Sequence, residues 1–214
     1  MTDLKLKSQL QGLYAITDSK LMPDTDSMLF QVEQALRGGA SIIQYRDKSD
    51  DIEKRRQQAR ALLDLCNQFN RPLLINDDVK LAKIVGAHGV HLGQSDGAVI
   101  QAREYLGSNS IIGNTCHDSI ELARQACQQG CDYVAFGAFF ASSTKPDASP
   151  APMQLLAEAR STLPVPVVAI GGINMDNAGQ VITAGADMVA VIHNLFASED
   201  ICAQAGRFDS LFTR

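Results

Sequence analysis

The sequence predicts an α/β fold built as a single (β/α)8 TIM barrel that occupies residues 1–214. Eight short apolar runs bounded by turn residues recur along the chain, and segments with helical spacing of apolar residues separate them. Several runs are almost continuously apolar, as strands of a parallel sheet must be when helices cover both of its faces. The alternation continues over the whole chain without a second class of composition, which favours a closed barrel over an open sheet.

The predicted elements alternate as strand and helix along the chain. The strands are expected at 13–17, 41–45, 73–75, 89–92, 111–113, 133–136, 167–170 and 188–192. The clearest helices are expected at 52–69 and 119–129, because each has apolar residues spaced for one helix face. Glycines that can end a helix before the next strand stand at Gly38, Gly39, Gly86, Gly130 and Gly185. We expect these glycines to be structural, since they fall on the barrel face opposite the usual active site.

Composition and charge argue against several classes of function. The 214 residues are 45% hydrophobic and carry a net charge of −5, without a basic run that would bind nucleic acid. No apolar stretch approaches the roughly 20 residues that span a bilayer, and the polar N-terminus is not expected to be a signal peptide. The five cysteines form no CxxC pair and are expected to be unpaired, as in a reducing compartment. We therefore expect a cytoplasmic protein with no nucleic-acid or membrane partner. The sequence leaves the oligomeric state open, a homo-oligomer included.

The second predicted strand ends in a cluster of polar and cationic residues. Alternation along an extended strand places Gln44, Arg46 and Lys48 on one side. Active sites of such barrels lie at the C-terminal ends of the strands. A guanidinium fork and an ammonium at this position could hold a diphosphate. The alternative is a solvated turn.

Carboxylates follow the third and fourth predicted strands. Asp77 lies in the run Asn76-Asp77-Asp78, and Asp96 ends the run 93–96. Carboxylate oxygens suit Mg²⁺, which takes one or two of them and completes its shell with water and phosphate oxygens. We expect Asp77 and Asp96 to be the metal pair. Either residue could instead cap a helix, as Asp78 is expected to do for the helix that begins after it.

Loops after the later strands offer further ligand-binding groups. The loop after the sixth strand contains Ser142, Thr144 and Lys145, although such a loop could also be a flexible connector. After the seventh strand, Gly171 and the glycine that follows it allow backbone amides to approach a ligand. Many barrels bind a monophosphate there, together with the loop after the eighth strand.

Four histidines remain to be placed. His88 and His91 are expected to serve packing and local hydrogen bonding. The role of His117, after the fifth strand, stays open. His193 lies just beyond the eighth strand, near the expected phosphate loop.

The ordered runs QYRDK, INDD, GVHLGQSD, GNTCH, SSTK and AIGGI resemble those of the thiamine-phosphate synthase family over residues 12–198. The resemblance implies a transferase that joins an aminopyrimidine diphosphate, with hydroxymethyl and methyl groups on its ring, to a thiazole phosphate or its carboxylated form. The products would be thiamine phosphate and pyrophosphate. By the family pattern, the pyrimidine diphosphate is held by Gln44, Arg46, Lys48, Asn76 and Lys145, and Mg²⁺ by Asp77 and Asp96. Thr115 would also bind substrate, and the thiazole phosphate or departing pyrophosphate would lie at Ser142, Thr144, Gly171, Ile192 and His193.

The chain departs from the family pattern at several positions. Thr115 replaces a usual serine and Ser142 a usual threonine, so both positions keep a hydroxyl. His193 stands where the family usually has serine, which is expected to alter the thiazole phosphate end of the pocket. Ala138 and Ala141 replace prolines that are common in the loop after the sixth strand.

Three alternatives compete with this interpretation. A thiazole tautomerase shares the barrel but uses a histidine after the sixth strand, and the segment 137–140 contains none. A noncatalytic barrel could bind thiamine precursors as a sensor or carrier, but it would have no use for metal carboxylates beside a cationic cluster. A phosphosugar isomerase would normally need an acid/base pair at the strand ends.

Overall fold

A closed parallel barrel of eight strands confirms the predicted (β/α)8 fold. The structure, a computed structural model, describes residues 6–7, 10–141 and 150–212. Each strand pairs in parallel with the next, and β8 pairs with β1 to close the barrel. The strands are β1 Gly12–Ile16, β2 Ile42–Tyr45, β3 Leu73–Asn76, β4 Gly89–Leu92, β5 Ile111–His117, β6 Tyr133–Phe136, β7 Val167–Ile170 and β8 Met188–Val191.

Helices follow every strand and cover the outside of the barrel. They are α1 Thr25–Arg37, α2 Ile52–Gln68, α3 Val79–Val85, α4 Val99–Leu106, α5 Ile120–Gln128, α6 Gln154–Thr162, α7 Ala178–Ala184, α8 His193–Phe196 and α9 Ile201–Ser210. Helices α8 and α9 both follow β8. In the described ranges, none of the helices combines the length and apolar character needed to cross a bilayer.

The largest difference from the predicted elements is in β5, which continues to His117 instead of ending at Gly113. The apolar run stops at Gly113, but Asn114 and Thr115 still pair with residues of β4 and β6. Polar side chains can continue this strand because it reaches the open mouth of the barrel. A prediction that depends on apolar runs ends such a strand too early.

The ends of the helices follow the expected chemistry. The Asp78 side chain accepts a hydrogen bond of 2.8 Å from the Leu81 amide and caps α3, as predicted. Gly86 ends α3 with a φ of 75°, in the left-handed region that favours glycine. The other glycines predicted at helix ends also lie there, and all five cysteines are free thiols.

Two apolar layers stabilise the barrel. The larger layer fills the space between the strands and the surrounding helices. The smaller layer fills the inside of the barrel and includes Tyr14, Tyr133 and Met188, each with at most 1% of its surface exposed. Because this inner layer closes the barrel from below, the open space lies above it, at the C-terminal ends of the strands.

Candidate active site

A cavity of about 830 Å³ opens at the C-terminal end of the barrel, and every strand contributes residues to its wall. All of the predicted site residues in the described ranges lie around this one cavity. They are Gln44, Arg46, Lys48, Asn76, Asp77, Asp96, Thr115, Gly171, Ile192 and His193. The predicted residues Ser142, Thr144 and Lys145 lie outside the described ranges. The cavity therefore brings the described candidates together, while their individual roles stay predictions.

The chain after β2 directs two cations into the cavity. The backbone amide of Arg46 donates a 2.9 Å hydrogen bond to the hydroxyl of Thr17 at the end of β1. Asp47 turns away, where its carboxylate pairs with Lys54 at 2.9 Å and accepts a 2.7 Å bond from the Ser49 amide. This alternation leaves Arg46 and Lys48 on the cavity side. No carboxylate of the described residues forms an ion pair with Arg46, so its guanidinium can bind an anion.

Asp77 and Asp96 bring two carboxyl groups into hydrogen-bond contact at the mouths of β3 and β4. Asp77 also accepts hydrogen bonds from Lys48 and, at 2.6 Å, from the Asn76 amide. Asp96 accepts a 2.9 Å bond from the Gly93 amide. The backbone of Asp77 has a φ of 62°, a strained conformation for a residue with a side chain. Such strain costs about 1 to 3 kcal/mol and often occurs at functional sites.

The two carboxyl groups have pKa values shifted in opposite directions. Burial opposes ionisation of Asp77, but the hydrogen bonds from Lys48 and Asp96 outweigh it and lower its pKa. Burial, together with the hydrogen bond and the negative charge of Asp77, raises the pKa of Asp96. Two adjacent carboxyl groups suit a divalent cation, which would relieve their mutual repulsion.

The predicted Mg²⁺ site has only two protein ligands, the carboxylates of Asp77 and Asp96. In the part of the chain that the structure describes, no group of three or more His, Cys, Asp or Glu side chains could hold a metal ion. A site of two carboxylates suits Mg²⁺, which usually keeps waters and takes further oxygens from substrate phosphates. The assignment of Mg²⁺ to Asp77 and Asp96 stays a prediction.

The opposite side of the cavity is formed by backbone and small residues. Gly171 and Gly172 have φ values of 100° and 64°, and a side chain at either position would collide with the loop after β6. A Cβ atom on Gly171 would lie 2.3 Å from the Cβ of Ala138. The Phe140 amide donates a 3.0 Å bond to the Gly171 carbonyl, which joins the two loops.

The loop after β8 completes this side of the cavity. His193 begins α8 with its side chain exposed, and Ile192 precedes it. His193 lies directly after β8, as predicted, and its contact with a phosphate stays a prediction.

Several polar residues of the cavity were not predicted from the sequence. Tyr14 and His91 line its wall, and Gln94 at the rim donates a 3.0 Å bond to the side chain of Asn114. His91 does make local hydrogen bonds, as predicted, but its position in the cavity wall was not foreseen. His117, whose role the sequence left open, also lines the cavity.

Residues 13–195 match the family described as thiamine monophosphate synthase. The chain belongs to this family. A protein named thiamine-phosphate synthase from Saccharophagus degradans is 56% identical over 189 residues, covering 88% of this chain and 87% of the relative. Another protein of that name, from Thioalkalivibrio sulfidiphilus, is 52% identical over 204 residues, covering 95% of this chain and 96% of the relative.

A solved structure supports the same family membership. The thiamine phosphate pyrophosphorylase from Pyrococcus furiosus superposes with a TM-score of 0.86 at 33% sequence identity. The alignment covers 97% of each chain. Family membership therefore applies to the barrel as a whole, including the strand ends that form the cavity.

Proposed function

We propose that this chain is a thiamine-phosphate synthase, a transferase that joins the aminopyrimidine diphosphate to the thiazole phosphate and releases pyrophosphate. The observation that carries the proposal is the arrangement of the cavity: cations and paired carboxylates on one side, and a glycine loop on the other. A diphosphate and a monophosphate need binding sites of these two kinds. Relatives named for this activity, at 52% and 56% identity, support the proposal.

The first task of the site is to stabilise the departing diphosphate. The bond between the pyrimidine methylene carbon and the diphosphate oxygen breaks, and its electron pair leaves with the oxygen. Arg46 can bind two diphosphate oxygens through its planar fork, and Lys48 adds a compact positive charge. Asp77 and Asp96 would hold Mg²⁺, which would supply further positive charge to the leaving diphosphate. Preorganised charge of this kind acts where negative charge develops.

The second task is to place the thiazole nitrogen in line with the methylene carbon. The nitrogen lone pair forms the new carbon–nitrogen bond, so this step needs no general base. Backbone amides at Gly171 and in the loop of Ile192 and His193 would hold the thiazole phosphate at the required distance. Positioning of two reactants can contribute about 7 to 11 kcal/mol in favourable cases.

Residues outside the described ranges complete the proposal. By the family pattern, Lys145 would neutralise the diphosphate, and Ser142 and Thr144 would donate hydrogen bonds to phosphate oxygens. A cytoplasmic location is part of the proposal, and five unpaired cysteines are compatible with a reducing compartment.

The deciding experiment measures pyrophosphate release by the purified protein. Each precursor is supplied alone and then both together, with Mg²⁺ and again with a chelator. Release that requires both precursors and Mg²⁺ is expected. Binding of both precursors without release would favour the noncatalytic carrier, and release from the pyrimidine diphosphate alone would indicate a hydrolase.

A further inference from the structure

A chain of five hydrogen-bonded side chains crosses the inside of the barrel at the floor of the cavity. The Gln44 amide nitrogen lies 2.6 Å from the Tyr14 hydroxyl, which lies 2.8 Å from the Tyr133 hydroxyl. The Tyr133 hydroxyl lies 2.8 Å from Nδ1 of His91, and Nε2 of His91 lies 2.8 Å from the Thr115 hydroxyl. The two ends of the chain, Gln44 and Thr115, line the cavity, as do Tyr14 and His91, whereas Tyr133 lies behind them.

The middle of this chain is held rigidly by the barrel. The rings of Tyr14 and Tyr133 meet edge to face, with centroids 5.9 Å apart, and His91 stacks on Tyr133 at 5.6 Å. Gly113 gives Tyr133 its space, because a Cβ atom there would lie 1.9 Å from the Tyr133 ring. Neither tyrosine exposes more than 1% of its surface. The three rings therefore have little freedom to change partners.

The contacts among the two tyrosines and His91 fit either direction of donation, and the Gln44 amide nitrogen sets one end by donating to the Tyr14 hydroxyl. In the order that continues from this bond, Tyr14 donates to Tyr133, and Tyr133 donates to Nδ1 of His91. His91 then carries its proton on Nε2 and donates to Thr115.

This order decides which atoms remain for a ligand. Gln44 keeps its amide oxygen as an acceptor and one N–H as a donor, while Thr115 keeps its own O–H as a donor. In the opposite order the Gln44 oxygen would accept from Tyr14, and His91 would carry its proton on Nδ1. Gln44 would then offer only donors, and Thr115 would offer only an acceptor.

We propose that Tyr14, Tyr133 and His91 are positioning residues that select an aminopyrimidine over the corresponding oxopyrimidine, because they fix the hydrogen-bonding atoms of Gln44 and Thr115. The inference rests on the proposed function and deepens it. An aminopyrimidine has an amino donor next to a ring nitrogen acceptor, which matches the acceptor and donor of Gln44. Its other ring nitrogen is an acceptor for the Thr115 hydroxyl. An oxopyrimidine has an acceptor in place of the amino donor, and its tautomer with the proton on the ring nitrogen that faces Thr115 suits the opposite order.

The test compares Tyr133→Phe with a matched control, Tyr45→Phe. Tyr133→Phe interrupts the chain at its middle, whereas Tyr45 donates a 2.9 Å bond to Gln58 outside it, also in a buried position. Dissociation constants are measured by calorimetry for the aminopyrimidine diphosphate, its oxo analogue and pyrophosphate, all with Mg²⁺. Tyr14→Phe is a second variant in case Tyr133→Phe folds poorly.

In Tyr133→Phe, preference for the amino over the oxo compound is expected to fall roughly tenfold, as one hydrogen bond would give. Affinity for pyrophosphate is expected to stay unchanged, and Tyr45→Phe is expected to keep the wild-type preference. A general loss that includes pyrophosphate, or an equal loss of preference in Tyr45→Phe, would overturn the inference.

A second measurement needs no ligand. Nitrogen NMR of histidine-labelled protein should show His91 protonated on Nε2 at neutral pH, and protonation on Nδ1 would overturn the inference. If the wild type prefers the amino compound but does not join the two precursors, the proposed function is refuted and the positioning role still stands. If the wild type joins the precursors but Tyr133→Phe keeps the wild-type preference for the amino compound, the positioning role is refuted and the proposed function still stands.

Discussion

The two sides of the cavity use different parts of the chain to make a binding surface. On the side of β2 to β4, charged side chains point inward, with Arg46 and Lys48 beside the carboxyl pair. On the side of β6 to β8, the wall consists mainly of Gly171, Gly172 and apolar residues, with polar side chains such as His193 after the strands, so backbone groups face much of the cavity. The first side depends on the chemistry of side chains, and the second on the absence of side chains. Substitutions should therefore damage the two sides in different ways.

The largest effect is expected for Asp77→Asn on the charged side. Asparagine keeps the shape of the side chain and tolerates the φ of 62°, but it removes the negative charge that would hold Mg²⁺. Steady-state pyrophosphate release should fall by about 100-fold or more, a loss typical for removal of a key electrostatic group. The matched control is the neighbouring Asp78→Asn, because asparagine caps a helix as well as aspartate does. Unchanged turnover in Asp77→Asn would contradict the metal assignment.

A smaller loss is expected for Arg46→Lys, which keeps the charge but loses the planar fork. The value of kcat/KM for the pyrimidine diphosphate should fall roughly tenfold, since bidentate contact with phosphate oxygens is lost. Arg56→Lys on the exposed face of α2 is the control, and wild-type kinetics are expected for it. Equal kinetics in the two variants would show that Arg46 acts only as a point charge.

On the backbone side, Gly171→Ala should act through steric exclusion. The new methyl group would collide with Ala138 at 2.3 Å, and the φ of 100° would add strain of about 1 to 3 kcal/mol. The KM for the thiazole phosphate should rise about fivefold to tenfold, while affinity for pyrophosphate stays near wild type.

The control for that substitution is Gly179→Ala in α7, where a Cβ would meet nothing within 4 Å. Alanine within a helix is expected to raise stability by about 0.5 to 1 kcal/mol without changing the kinetics. If Gly171→Ala weakened only the binding of the pyrimidine diphosphate, the division of the cavity into two sides would be wrong.

The smallest effect concerns Asp47, which faces away from the cavity and helps to direct its neighbours inward. Burial opposes its ionisation, but the hydrogen bonds from Lys54 and Ser49 prevail and lower its pKa. A lowered carboxyl pKa stabilises the fold at pH values above the unfolded pKa, and this contribution disappears as the pH falls through the folded pKa. Asp47→Asn should therefore lower the free energy of unfolding by about 1 kcal/mol at neutral pH.

Urea unfolding at several pH values tests this expectation. The difference between the wild type and Asp47→Asn should shrink once the pH falls below about 4, the ordinary range for an aspartate. A difference that stayed constant over this range would mean that Asp47 stabilises the fold through packing and not through its charge.

The charged side of the cavity could be predicted from the sequence, because its residues follow directly after apolar strand runs. Arg46, Lys48, Asp77 and Asp96 all lie around the cavity as expected. The backbone side could be predicted only as a glycine loop, since the exclusion of side chains at Gly171 depends on Ala138 in another loop.

The hydrogen-bonded chain inside the barrel could not be predicted at all. Tyr14 and Tyr133 stand in apolar strand runs and are separated by 119 residues. The Tyr14 hydroxyl reaches Tyr133, and Tyr133 reaches His91, only when the barrel closes and brings β1, β4 and β6 together. Gly113 was the one local sign, because a glycine within a strand often marks the close approach of another group.

Gly113 also limits which substitutions the inside of the barrel can accept. It has no side chain and does not need to touch a ligand, yet the space of one missing methyl group holds the Tyr133 ring in place. An apparently mild replacement by alanine would force that ring to move and would disturb selectivity before it reached the catalytic groups. A substitution at Gly113 would therefore act on the binding site through the Tyr133 ring, without any contact between the new side chain and a ligand.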